Sequence, residues 1–308
     1  MTAVGRASMM ATVDRSLRAA LTVGAVLLGG GCDLRHSAVL DPKGQIALAQ
    51  RDLLLDAFAV MLIVVVPVIL LAAVFAWRYR ASNTNADYAP TWSYSARIDI
   101  LVWLAPALIV IAVGTLLWRS THKLDPYHPI DSAVAALEVQ VVAQDWKWLF
   151  IYPEQDIAAV NQLVFPSGRP VSLRITSDTV MNSFYVPALA GQIYAMAGMQ
   201  TRLQLVADAP GRFVGRNSQY SGAGFADQHF EAIVATPADF DAWVAKVRQS
   251  TTRLDAATYP ALAARSRRHP ITYYGAVEPE LFDSIIGQYA HGHHAPGTSP
   301  SPDGPARR

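Results

Sequence analysis

Residues 57–77 read AFAVMLIVVVPVILLAAVFAW, 21 positions without a charge. A helix needs about 20 apolar residues to cross about 30 Å of hydrocarbon, so this run is long enough to span a bilayer. Residues 100–118, ILVWLAPALIVIAVGTLLW, repeat the pattern over 19 positions. Pro67 and Pro106 lie inside the two runs. A membrane helix tolerates proline where neighbouring helices or local adjustments satisfy the freed carbonyl. Trp77, Tyr79, Trp103 and Trp118 stand near the ends, where aromatic rings settle at the boundary between water and lipid. The two runs predict a transmembrane helical hairpin over residues 53–120.

Composition agrees with a membrane chain. Of 308 residues, 52% are apolar and 16% charged, against about 25% charged in soluble domains. A net charge of +1 gives no electrostatic footprint for nucleic acid. Cys32 is the single cysteine, which excludes an internal disulfide and any metal site built from several thiolates.

Upstream of the hairpin, residues 21–31 read LTVGAVLLGGG, with Arg15 and Arg18 just before them. The run is too short to span and has the basic and apolar regions of a secretory signal. It ends at Gly31-Cys32, resembling a bacterial lipoprotein signal, in which the cysteine is acylated and becomes the new N-terminus. The usual leucine three places before the cysteine is Gly29 here, with Leu28 one place earlier. Asp33 follows, similar to an inner-membrane retention mark. Residues 1–31 are therefore read as signal peptide, Cys32 as the lipidation site and 32–52 as a periplasmic N-terminal segment. Positive charge does not set the topology, since Arg78, Arg80 and Arg97 lie between the spans and Lys43, Arg51, Arg119 and Lys123 outside them. An acylated Cys32 on the outer face does set it. The loop between the helices is then cytoplasmic, and everything after about residue 120 is periplasmic.

After a polar linker, 121–133 (THKLDPYHPIDSA), the pattern turns to short strands. Val171, Leu173 and Ile175 alternate with Ser172, Arg174 and Thr176, and Leu203 and Leu205 with Arg202 and Gln204. This period of two marks half-buried strands. Residues 137–142 and 230–235 are also β-rich, and turn signals stand at Pro166-Ser167-Gly168 and Asp208-Ala209-Pro210-Gly211. Such spacing predicts a β-sandwich over 134–236. A C-terminal helical segment, 237–286, follows; within it 238–249 is amphipathic, with Phe240, Val244 and Val247 on one side. Residues 287–308, rich in Pro, Gly and Ser, are read as a disordered tail, and His291, His293 and His294 as solvated within it.

The order of signal, helical hairpin and sandwich is joined by specific stretches: VLDPKGQIALAQRDLL (39–54), FAWRYRAS (75–82), DWKWLFIYPEQ (145–155), VMNSFYVP (180–187), GQIYAMAGMQTRL (191–203) and YSGAGF (220–225). Together they resemble subunit II of a haem-copper terminal oxidase, in the cytochrome o ubiquinol oxidase branch, across most of residues 28–290. The resemblance implies a membrane α + β chain whose two-helix hairpin is followed by a periplasmic cupredoxin-like Greek-key β-sandwich. It also implies partners: subunit I, carrying the haem and copper of oxygen reduction, smaller membrane subunits, and the lipid bilayer of a bacterial inner membrane. The competing reading, from another class, is a free-standing membrane-tethered periplasmic binding or sensor domain.

Copper-bearing relatives in the cytochrome c oxidase branch carry a loop Cys-x-Glu-x-Cys-x-x-x-His-x-x-Met and an earlier His. Soft thiolates and imidazoles suit a copper pair. Alignment on Gly224 places Gln219 and Ala223 at the two cysteines, Ser221 at the Glu, Asp227 at the loop His, Phe230 at the Met and Asn182 at the earlier His. All six ligand positions have changed, and with Cys32 the only cysteine no register restores a dicysteine site. The resemblance then implies no metal and no catalytic residue in this chain. Electrons are expected from ubiquinol, delivered to subunit I, and not from cytochrome c. Trp146, Trp148, Phe150 and Tyr152 are expected to pack along one face of a strand, and Met181, Met196 and Met199 to fill core or interface. Asp99, at the cytoplasmic mouth of the second span, falls where relatives carry a glutamate, at the entrance of a proton pathway into subunit I.

Overall fold

A computed structural model describes residues 37–85 and 90–290. The signal, Cys32 and the histidines of the tail lie outside the described residues.

Helix α1, Gln45–Arg78, and helix α2, Ala96–Lys123, run longer than the apolar runs that announce them. Both are long and apolar enough to cross a membrane. No residue of α2 is buried. Apolar side chains uncovered on all sides suit lipid or neighbouring protein. Asp99 in the first turn of α2 and His122 and Lys123 in the last match the sign of the helix dipole.

Helix α1 starts well inside the predicted 32–52 segment, and Gly44 explains where. Gly44 is extended and caps the helix. A Cβ there would come within 2.6 Å of the Val206 carbonyl and 3.0 Å of the Leu189 carbonyl. The Lys43 amide donates to the Ala188 carbonyl at 2.7 Å. The chain is thus laid against the 188–206 region before it turns into the helix.

The rest is a two-sheet sandwich with a third layer. Its strands are β1 Leu137–Gln144, β2 Lys147–Tyr152, β3 Ile157–Val160, β4 Gln162–Pro166, β5 Val171–Ser177, β6 Asn182–Tyr185, β7 Ile193–Ala195, β8 Thr201–Leu205, β9 Gly211–Asn217 and β10 His229–Ala235. Helix α3, Pro237–Arg248, follows, then β11 Arg253–Leu254, α4 Tyr259–Ala263, β12 Thr272–Tyr274, β13 Ala276–Val277 and α5 Leu281–Ala290. One sheet has the order β12-β3-β2-β1-β5-β8, the other β4-β10-β9-β6-β7. Most pairs are antiparallel, but β1 runs parallel to β5 and β4 parallel to β10. The predicted alternation falls in register, with Leu173 opposite both Val139 and Leu203. Trp148, Phe150, Phe184 and Phe230 fill the centre, with Phe184 and Phe230 stacked at 5.1 Å.

The side chains of β2 are buried on both faces, whereas β9 alternates. The difference lies in what covers the outer face. Trp148, Phe150 and Tyr152 point into the sandwich core. Leu149 and Ile151 join a second cluster with Leu254, Tyr259, Leu262, Tyr274, Val277, Phe282 and Ile285. The C-terminal segment is therefore not simply helical: β12 adds to the first sheet beside β3, and α4 and α5 cover that sheet from outside. Short strands with little periodicity gave no signal of this. Helix α3 forms where predicted and buries Phe240, Val244 and Val247. Its cap is Thr236, whose hydroxyl accepts from the Asp239 amide at 3.2 Å, with Pro237 at the first helical position.

Two other expectations change. Trp146 lies outside β2, in the turn from β1, at φ +65°, so only three of the four aromatics share a strand face. Met181 and Met199 are exposed in this chain and do not fill its core.

Candidate functional site

The rim of the sandwich between β6, the end of β9 and the start of β10 holds a closed set of amides. The Nδ2 of Asn217 donates to Asn182 Oδ1 at 2.7 Å, to Gln228 Oε1 at 2.9 Å and to Ser221 Oγ at 3.1 Å. The Gln228 Nε2 donates to Asn182 Oδ1 at 3.0 Å and to the Gln144 carbonyl at 3.3 Å. Ser221 Oγ donates to Gln228 Oε1 at 2.7 Å. The Asn182 Nδ2 turns away, to the Val180 carbonyl at 2.8 Å. Asn217 Oδ1 accepts the Ser183 amide at 2.8 Å and the Gln219 amide at 3.0 Å. Asn182, Asn217 and Gln228 are all buried. Buried polar groups are tolerable when paired, and here each amide is satisfied largely by the others.

The loop from 218 to 228 lies over this set. The short 3₁₀ turn Phe225–Asp227 closes it. Gly224 lets the Trp146 indole lie against the backbone, since a Cβ there would collide with the ring. Trp146 Nε1 donates to the Ser221 carbonyl at 3.1 Å.

Of the six positions singled out in the sequence, the structure brings Asn182 and Ser221 into the network. Gln219 contributes its backbone amide. Asp227 faces outward and pairs with Arg268 at 3.0 Å. Phe230 is in the aromatic core, packed over Gly215, and no hydrogen bond of Ala223 reaches the network. Asn217 and Gln228, missed in the sequence reading, complete it. Moved back by two residues, the Cys-Glu-Cys-His-Met spacing falls on Asn217, Gln219, Ser221, Phe225 and Gln228; Asn217 and Gln228 bond to Asn182, and Ser221 bonds to both of them.

Chemically, the set consists of amide and hydroxyl groups. These are hard, neutral donors, whereas a copper pair takes thiolates and imidazoles. The residues present do not fit that group. Among the described residues no cluster of three or more His, Cys, Asp or Glu side chains could hold a metal ion.

A second polar cluster lies beside it. Tyr259 Oη donates to Asp178 Oδ2 at 2.7 Å, and Tyr289 Oη donates to the Asp178 carbonyl at 2.6 Å. Burial pushes the Asp178 carboxyl above the usual carboxylate range, although the two phenols hold it back. Lys147 is fully buried on the outer face of β2. Its Nζ donates to the Ala264 carbonyl at 2.7 Å and to Ser266 Oγ at 2.8 Å. Burial lowers its pKa, against the pull of Asp145. Asp99 stands exposed at the start of α2.

Residues 154–235 match the family of the cytochrome c oxidase subunit II periplasmic domain, and residues 248–293 the COX aromatic rich motif. The chain is 52% identical to cytochrome bo(3) ubiquinol oxidase subunit 2 of Pseudomonas putida, over 86% of this chain and 83% of that one. The chain belongs to the ubiquinol oxidase subunit 2 family. The protein of the same name from Pseudomonas aeruginosa is 49% identical over 91% of this chain and 83% of its own length. Ubiquinol oxidase subunit 2 of Acetobacter aceti is 47% identical, covering 86% of each. Membership makes the chain a subunit of a haem-copper oxidase, an oxidoreductase complex in which subunit I is its partner, and sets aside the free-standing sensor domain. It also gives the sandwich its type, the cupredoxin-like domain of subunit II, with the aromatic rich motif as the layer over its first sheet.

Proposed function

We propose that the chain is the non-catalytic subunit II of a proton-pumping oxidase that takes electrons from ubiquinol and holds no copper of its own. The observation that carries this is the hydrogen-bonded set Asn182–Asn217–Ser221–Gln228. It supports the reading that the ligand positions of a copper pair have become a structural polar plug, in the register of Asn217 and Gln228. A single cysteine in the whole sequence supports it independently. Without a relay in this domain, a soluble cytochrome has no acceptor here, and quinol reaches the haems of subunit I directly.

In this reading the hairpin anchors the chain beside subunit I and smaller membrane subunits of a bacterial inner membrane, with the sandwich in the periplasm. Cys32 carries a lipid on the periplasmic side, as its place after three glycines suggests. Asp99 then lies at the cytoplasmic end of α2, where an exposed carboxylate can collect protons and pass them to a water chain in subunit I.

The test is oxygen consumption by the complex purified through this chain. Reduced ubiquinol is expected to support turnover, and reduced cytochrome c to give none. Turnover with cytochrome c, or one equivalent of copper pair in the periplasmic domain by its near-infrared band, would overturn the reading.

A further inference from the structure

The residues after α4 run along the sandwich rim and touch it at nearly every step. Ala264 and Ser266 accept from Lys147 Nζ. Arg265 Nε donates to Asp145 Oδ2 at 2.6 Å. The Arg267 guanidinium lies 5.5 Å from the Trp146 ring centroid. Arg268 Nε donates to Asp227 Oδ1 at 3.0 Å. The His269 carbonyl accepts from Asn161 Nδ2 at 2.8 Å. Arg268 takes φ +51°, a left-handed backbone that a non-glycine residue adopts at a cost and keeps where its surroundings over-determine it.

One of these contacts lands on the loop that covers the amide network, and another reaches it through Trp146. Asp227 closes the loop's 3₁₀ turn. Trp146 is bonded to Ser221 and lies against Gly224. We propose that residues 264–269 are an outer clasp, anchored by Lys147, that holds the 218–228 loop shut over the network. Lys147 is the positioning residue. The side chains of Arg265 and Arg268 are 79% and 83% exposed, and ion pairs so open to water contribute little. The Lys147 ammonium is buried, and its two donations have no competing water. The inference stands whether or not the oxidase takes its electrons from quinol.

The test is hydrogen exchange on the intact purified complex. The reporters are the loop amides that the closed form protects: Ser218, Phe225, Asp227 and Gln228, bonded to Ser183, Gly222, Gly224 and Phe225. Lys147→Met keeps most of the side-chain volume and removes the donor. Its expected effect is exchange about tenfold faster at these amides, as local opening becomes easier, with the amides of β8 unchanged. Arg267→Ala with Arg268→Ala removes the side chains that reach Trp146 and Asp227 without touching the anchor; it is expected to speed the loop amides by a smaller factor, about two- to threefold, and it serves where Lys147→Met does not assemble. Loop amides that keep their rates in either variant overturn the clasp.

Discussion

Asn217 donates from Nδ2 to Asn182 Oδ1 at 2.7 Å, joining the last residue of β9 to the first of β6 across 35 positions of sequence. The bond is one edge of a set in which neither amide reaches water. A buried polar group left unpaired costs about 1–3 kcal/mol. Asn182→Ala removes the shared acceptor of Asn217 and Gln228 and is expected to destabilise the sandwich by about that amount or more. A fall in the thermal midpoint of its near-UV circular dichroism checks this. Asn182→Asp, which keeps the acceptor but adds a buried charge, should also destabilise, more strongly at high pH than low.

A plug of amides should be indifferent to chelation. Treating the complex with a copper chelator that spares the haem-copper centre is expected to leave that midpoint unchanged. A drop of several degrees would mean that a metal ties the rim together.

Asp178 sets a pH dependence whose sign can be worked out. Its folded pKa lies above the unfolded value of about 3.9. The folded chain therefore binds this proton more tightly than the unfolded chain, and the contribution to stability is greatest at low pH. It falls as pH rises through the window from the unfolded to the folded pKa. Asp178→Asn is expected to flatten this part of a stability–pH curve while keeping an acceptor for Tyr259. An unchanged slope would show that the carboxyl does not titrate there.

Gly215 faces Phe230 so closely that a Cβ would meet the ring edge. The ring cannot swing aside, because it stacks on Phe184 and abuts Trp148. Gly215→Ala is expected to cost about 1–3 kcal/mol, the range for overpacking a filled core, read as a lower denaturation midpoint.

Asp99→Asn is expected to slow oxygen reduction in an oxidase that still assembles, with Asp99→Glu retaining most activity. Normal turnover and proton uptake in the asparagine variant would leave Asp99 only its effect on the helix dipole, about 0.3–1 kcal/mol.

How much of this was legible depended on whether a signal was local. The two spans could be read from length and hydropathy, since a lipid-facing helix has nothing else to satisfy. Strand β5 could be read from Val171, Leu173 and Ile175, because one face is core and the other is partly wet. Strand β2 gave no such alternation: Lys147, Leu149 and Ile151 are buried by a layer more than a hundred residues away in sequence. The site was half legible. Asn182 and Ser221 followed from a spacing, while Asn217 and Gln228 lie in that spacing two residues earlier, a register that the pairing of β6 with β9 picks out. Trp146 was misread because it stands in the short turn between β1 and β2 with a left-handed backbone, and its indole packs on Gly224, far along the chain.

The first sheet has an end that arrives late. Its edge strand β12 pairs with β3, joining Thr272 to Val160 and Tyr274 to Ala158, and the parallel pair of β4 with β10 joins Gln162 to Glu231. Contacts of such sequence separation form slowly, since the intervening chain must be closed before any of them is rewarded. A chain emerging from its N-terminus therefore presents β1, β2 and β3 with an uncovered apolar outer face until the residues from Leu254 to Ile285 are free. For a domain handed across a membrane, that interval is when a holdase would be needed, and truncations just before Thr272 should be found as aggregates or degraded chain.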